Sequence, residues 1–174
     1  GTFADSLDNL PWLSKETLRK AKHKLRNIKV KVGYPQWIMH DSLLNRHYGV
    51  AFDFRENMTF LEMYHRMRKN EVQRMLSAID IPRDWENFWM LHLYGTPGAF
   101  YNSLANDVVI SAAFLQKPFF DADAPAAFNF GSFAAVVGHE LTHGFDVNGA
   151  KRDAFGNSHN WWSEESRQHF EEAQ

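Results

Sequence analysis

His139-Glu140-Leu141-Thr142-His143 is the segment whose residue types and spacing could do chemistry. On a helix, side chains four residues apart stand one above the other, about 5–6 Å apart at Cβ. That spacing lets His139 and His143 converge on one tetrahedral Zn²⁺ with Zn–N bonds of about 2.0–2.1 Å. Glu140 projects beside the two imidazoles, too displaced to be a good third ligand but placed to act as general base on a metal-activated water. A metal at this position would also polarise a scissile carbonyl, so hydrolysis would need no covalent intermediate. A catalytic zinc wants a third protein ligand. The pattern with Gly three and His six positions past the second histidine fails, because Asp146 and Gly149 stand there. His159, Asp153, Glu164 and Glu165 remain as downstream alternatives, although Ser163-Glu164-Glu165 also reads as the start of a helix.

The elements that must position this motif follow from periodicity. From Ser132 to about Val147 the pattern is helical, and Phe133, Ala134, Ala135, Val136, Val137 and Gly138 would bury that helix, with Gly138 and Gly144 leaving room for a close backbone. Asn148-Gly149 breaks it, Asp153 to Asn157 makes a turn, and Ser163 N-caps a last helix. Upstream, Ala99 to Ser103 and Asp107 to Ser111 flank a short connection, and Val108-Val109-Ile110 favours extended structure, so a hairpin is expected. Ala99 to Ser103 is expected to be an edge strand open to an added peptide strand. Trp12 to Val32 reads as an amphipathic helix with Leu18, Ala21, Leu25, Ile28 and Val32 on one stripe, stopped by Gly33-Tyr34-Pro35. Its eight Lys or Arg between Lys15 and Lys31 read as a solvated face. Tyr48 to Phe54 could be a short strand. Thr59-Phe60-Leu61-Glu62 has the form of a capping box opening a helix whose buried face would be Leu61, Tyr64, Val72, Met75 and Ile79, closed by Pro82. Trp85, Phe88, Trp89 and Met90 read as core packing.

Composition bounds the rest. The 174 residues are 44% apolar and 23% charged, enough for one core. The net charge of −2 offers no basic field for nucleic acid. There is no cysteine, which removes thiol catalysis, disulfide scaffolds and Cys-ligated metal sites, so a metal must be held by His and carboxylates. No apolar run approaches a membrane span.

The extended motif Val137-Gly138-His139-Glu140-Leu141-Thr142-His143-Gly144-Phe145-Asp146 closely resembles the zinc signature of the neprilysin and endothelin-converting-enzyme metalloendopeptidases. Asn148-Gly149, Asp153, Gly156 and Trp161-Trp162 continue the likeness downstream. Ala99-Phe100-Tyr101, Leu115-Gln116-Lys117-Pro118-Phe119-Phe120, Trp12, Thr17, Lys20, Ala21 and Gly33-Tyr34-Pro35 extend it upstream. The resemblance implies a predominantly helical α+β fold, a thermolysin-like catalytic domain with a small sheet. It implies a secreted or cell-surface zinc endopeptidase that takes peptide substrates and cuts before hydrophobic residues. By position, His139 and His143 would bind one Zn²⁺, Glu140 would be the base, and Asp146 would accept an imidazole N–H and fix its tautomer. Phe114, Phe119 and Val136 would line the pocket for the substrate's hydrophobic side chain, and Gly98 and Ala99 would hold the peptide backbone.

Three departures accompany the likeness. Gly98 replaces the family's Asn, and Ala135 replaces a larger pocket residue. The chain also stops at Gln174, before the family's Glu-x-x-x-Asp that supplies the third zinc ligand and before its C-terminal His. Residues 1–174 are therefore expected to be part of one catalytic domain, with 1–90 a helical approach segment and 91–174 carrying the substrate strand, the zinc helix and the following helix. The rest of the domain would supply a Glu ligand. The competing reading is a non-catalytic, truncated peptidase-like module that binds peptides.

Overall fold

The computed structural model describes residues 2–49, 54–82, 84, 89 and 96–173. The chain divides into two compact units, Gly1–Gly33 with Leu91–Gln174, and Tyr34–Met90.

The first unit carries the motif. Helices α1 (Thr2–Asp8) and α2 (Lys15–Arg26) open it, the second N-capped by Ser14, whose side chain accepts from the Thr17 N–H. Leu18 and Leu25 pack around buried Leu7, Ala21 and Trp161, as the stripe predicts. The helix does not reach Val32. It ends at Asn27, and Lys29–Gly33 forms strand β1. Alternating Lys and β-branched Val has the period of a strand, and here the pairing partner decides. β1 lies parallel to β3 (Asp107–Ser111), with Lys29 opposite Asp107 and Gly33 opposite Ser111. Val30 and Val32 face outward, while Lys31 turns inward and its ammonium lies 2.6 Å from Asp107 Oδ2.

β2 (Ala99–Asn102) pairs antiparallel with β3 on the other side, giving the sheet order β1-β3-β2. The expected hairpin is present. Asn106 closes it in the left-handed region, with φ 51, which Asn tolerates better than most residues. β3 is buried along its whole length, and among the described residues β2 is paired on one side only.

The chain then coils continuously from Ala126 to His143 through α5 (Ala126–Asn129), a π-turn (Phe130–Ala134) and α6 (Ala135–His143). This path starts six residues before Ser132 and stops four before Val147, because Gly144 and Phe145 bond back to Leu141 and Thr142 and tighten the last turn. Val136, Val137 and Leu141 pack on Val108, Ile110 and Phe114, so one side of α6 lies on the sheet. The burial is less complete than the apolar run predicts, and Ala135 is exposed.

Helix α7 (Glu164–Glu172) is capped by Ser163 as expected. Its N-terminus meets that of α2. The hydroxyls of Ser14, Thr17, Ser163 and Ser166 bond to one another at 2.8–3.2 Å, and Thr17 Oγ1 accepts the Ser163 N–H. Each cap thus serves both helices.

In the second unit, residues 36–39 form a short 3₁₀ turn before α3 (Asp41–Tyr48). Tyr48 closes a helix instead of opening a strand, and residues 50–53 lie outside the described ones. α4 (Phe60–Ser77) begins with the capping box, Thr59 and Glu62 bonding reciprocally. Its expected buried face is not buried: Leu61, Tyr64, Val72 and Met75 are exposed, as is Ile79 beyond its end. A cap fixes where a helix starts, whereas burial needs a facing surface that no described residue supplies. Trp85, Phe88 and Met90 lie outside the described residues. Among the described residues no helix is long and apolar enough to cross a membrane.

Candidate metal centre

α6 presents His139 and His143 with their Nε2 atoms 3.0 Å apart and their ring planes at 86°. A tetrahedral ion with bonds of about 2.05 Å separates its ligand nitrogens by about 3.3 Å, so the two imidazoles converge as such an ion requires. A carboxylate oxygen of Glu140 joins them, the ligand atoms of the three residues lying within 4.8 Å of one another. Glu140 is the one buried residue of α6, while His139 is open to solvent and His143 half-buried. The donors that converge are two imidazole nitrogens, with the Glu140 carboxylate beside them, a combination that suits Zn²⁺.

The imidazole of His143 is aimed from behind. Its Nδ1 lies 2.8 Å from Asp146 Oδ2, so an ionised Asp146 accepts a hydrogen bond from Nδ1–H, holding the tautomer whose Nε2 lone pair faces His139. Asp146 is itself held, its Oδ1 accepting the N–H groups of Asn148 at 2.9 Å and Gly149 at 2.8 Å. Burial pushes its carboxyl up, but the Gly149 N–H, the His143 imidazole and the Asn148 N–H together hold it below the usual carboxylate range.

Gly149 is demanded by space, not by dihedral angle. A Cβ there would sit 2.0 Å from the His143 carbonyl oxygen and 2.7 Å from the Gly144 carbonyl carbon. The loop after α6 therefore lies directly against the helix end. A Cβ on Gly144 would in turn come within 3.4 Å of the Tyr101 ring on β2. The Tyr101 hydroxyl donates to Asn106, and burial, then the charges of Asp107 and Asp146, raise its pKa. At Gly138 nothing approaches within 4 Å, so the close contact expected there falls at Gly149 instead.

The remaining sequence-derived residues gather around β2 and α6. Phe114 is buried in the sheet-side core, its ring 4.4 Å from that of Phe119 and 5.7 Å from that of Phe133, with Val136 packed on the same cluster. Phe119 is exposed at one edge of this aromatic group. Ala99 is half-buried opposite Ile110, and both backbone groups of Gly98 bond to Ser111. None of the four alternative third ligands joins the motif. Glu164 pairs with Arg167 at 2.6 Å, and Asp153 accepts the Phe155 and Asn157 N–H groups with His159 3.5 Å away. Glu165 is exposed on α7.

Two cavities lie elsewhere, one of about 390 Å³ beside Val147, Trp162 and Phe170, the other of about 170 Å³ beside Lys24, Phe155 and Trp161. Neither is lined by a motif residue. Sequence reasoning missed Lys24, which is buried beneath the loop after Asp146. It also read Gly149 as a helix breaker and part of the family likeness, not as a close-packing position, and nothing local marks either role.

Residues 98–174 match the model of Peptidase family M13. Along 98% of its length the chain is 38% identical to membrane metallo-endopeptidase-like 1 of Mus musculus and 32% identical to neprilysin of Homo sapiens, covering 22% of each. Among solved structures it superposes on PepO of Lactobacillus rhamnosis with a TM-score of 0.84 and 30% identity, over 98% of this chain and 26% of that one. With the Mycobacterium tuberculosis zinc metalloprotease Zmp1 in complex with an inhibitor the TM-score is 0.76 and the identity 32%, over 98% and 24%. The chain thus spans about a quarter or less of the length of these relatives. The motif, its surroundings and the length of the likeness agree: residues 98–174 match the M13 family model, and the chain as a whole is similar to neprilysin-like peptidases.

Proposed function

We propose that this chain carries the zinc-binding and base-supplying part of a metalloendopeptidase that hydrolyses oligopeptides on the amino side of hydrophobic residues. The observation that supports it most directly is the convergence of His139 Nε2 and His143 Nε2 to 3.0 Å with the Glu140 carboxylate beside them. Zinc, when bound, supplies Lewis acidity that activates water and polarises a peptide carbonyl. The chain's own residues do the rest. His139 and His143 hold the ion, and Asp146 keeps His143 in the tautomer that presents Nε2. Glu140 takes a proton from the attacking water and passes it to the leaving amine. The open side of β2 fits a substrate backbone bound as an added strand at Ala99 and Gly98, with Phe114, Phe119 and Val136 receiving the hydrophobic side chain.

With Glu140 acting as base, the described residues give the metal two ligands. A catalytic site wants a third, and we infer a Glu from elsewhere in the polypeptide, within a thermolysin-like domain larger than these 174 residues. By its likeness to a membrane metallo-endopeptidase-like protein, the setting we propose is extracellular or cell-surface.

The test is Glu140→Gln in the longest polypeptide that contains this segment. The change keeps shape and removes the base, so peptide hydrolysis should fall at least a thousandfold while zinc content stays near one per chain. Substantial retained turnover would remove Glu140 from its role. Peptide binding with full zinc and no hydrolysis in the unsubstituted protein would favour a non-catalytic binding module.

A further inference from the structure

Lys24 lies on α2, 119 positions before His143, and only 1% of it is exposed. Among the described residues no carboxylate touches its ammonium. Instead Nζ donates to the carbonyl oxygens of Gly149, at 2.6 Å, and Arg152, at 2.8 Å, with the Phe145 and Trp161 rings 5.6 and 5.8 Å away. Taking an ammonium out of water with no carboxylate in direct contact is expensive, and an apolar side chain of similar length would fill the slot more cheaply. What the ammonium does that a methyl group cannot is grip both ends of the turn from Gly149 to Arg152.

That turn leads back to the metal motif through one residue. The Gly149 carbonyl accepts from Lys24, the Gly149 N–H donates to Asp146 Oδ1, and Asp146 Oδ2 faces His143 Nδ1. Each link is 2.6–2.8 Å long. α2 is tied at the same residue to the hairpin, since Asn106 Nδ2 donates to the Lys24 carbonyl at 3.1 Å and to the Ala154 carbonyl at 2.9 Å.

We propose that Lys24 is a positioning residue for the metal centre, setting the orientation of the His143 imidazole through Gly149 and Asp146. This rests on the reading of His139 and His143 as metal ligands. The test is chosen to separate the two.

In the longest polypeptide that contains this segment, zinc affinity is measured by competition with a chromophoric chelator. The His143 Nδ1–H is followed by ¹⁵N NMR in the metal-free protein. Lys24→Met should weaken zinc about tenfold, the low end of what partners behind a ligand contribute, and broaden the Nδ1–H signal. The folding midpoint should move little, because relief of the buried charge offsets the lost hydrogen bonds. Leu7→Ala, which weakens the core without touching the relay, should leave zinc affinity unchanged.

If Lys24 acts through Asp146, Lys24→Met added to Asp146→Asn should cost no more than Asp146→Asn alone. Additive losses, or zinc affinity within twofold of the parent in Lys24→Met, would overturn the proposal. Should the methionine variant not fold, Lys24→Gln, which keeps one donor, carries the same comparison. His143→Ala separates the two readings. If it leaves zinc affinity unchanged, the metal-site reading fails, and the relay is then judged by the His143 Nδ1–H signal alone.

Discussion

Gly149→Ala puts two arguments about glycine in direct opposition. Gly149 is not among the positive-φ residues, so by conformational entropy alone alanine should stabilise the protein by about 0.4–1 kcal/mol. The space argues the reverse. The new Cβ would lie 2.0 Å from the His143 carbonyl oxygen, whereas real Cβ contacts stay beyond 3.0 Å, so the turn must retreat by about 1 Å. Backbone surrounds the position, so no side chain can swing away. A retreat of about 1 Å stretches the 2.8 Å bond from the Gly149 N–H to Asp146 to about 3.8 Å, outside hydrogen-bond range. The lost bond to a carboxylate costs about 1.5–3 kcal/mol and the repacking about 1–3 kcal/mol. The sum, about 2.5–6 kcal/mol, is a large part of the 5–15 kcal/mol that a typical domain has. Urea denaturation followed by tryptophan fluorescence reads the stability, and chelator competition reads zinc affinity, which should fall at least tenfold. A variant as stable as the parent or more so, binding zinc equally well, would refute the steric reasoning.

Two further outcomes follow from the polar junctions. Ser163→Ala removes the cap of α7 and leaves Ser14, Thr17 and Ser166 short of a partner; about 2–4 kcal/mol should be lost in urea titrations, against under 0.5 kcal/mol if the cluster is only surface decoration. Burial lowers the Lys24 pKa from 10.5 to about 8, with Asp153 and Asp146 opposing and Arg152 reinforcing. The unfolded chain therefore holds more protons between those values, and stability should rise with pH across the window. At about 1.36 kcal/mol per pH unit the rise is on the order of 3 kcal/mol, and Lys24→Met should flatten it. An equal rise in that variant would assign the effect to another group.

What was legible in the sequence is what is local. Two histidines four apart on a helix meet whatever surrounds them, a capping box needs only its own four residues, and Val108-Val109-Ile110 between turn signals makes a strand. The errors fall where a distant partner decides. Lys29 to Val32 reads equally as a helical stripe or a strand, and β3, more than 70 residues on, selects the strand. Eight cations in one stretch read as a solvated face, yet Lys24 and Lys31 are buried, held by Gly149 and Asp107 at 125 and 76 residues' distance. On α4 the apolar residues were visible, but the surface that would bury them was not. Gly156 tells the same story: its φ of +84 could be guessed from a turn, while the Leu104 carbonyl 2.0 Å from where a Cβ would stand could not.

The same division runs through the metal centre. The helix fixes where the two Cβ atoms stand, but an imidazole can still turn about its own bonds, and a ligand nitrogen displaced by a fraction of an ångström no longer meets a tetrahedral ion. That freedom is removed by a carboxylate three residues beyond the helix, by two backbone N–H groups that hold the carboxylate, and by a glycine that lets the loop lie close enough to offer them. The last anchor sits on a helix from the other end of the chain. A motif of five residues is therefore sufficient to mark the candidate centre and insufficient to build it. Substitutions in α2, remote in sequence from the histidines, should be read first by their effect on zinc and only then by their effect on stability.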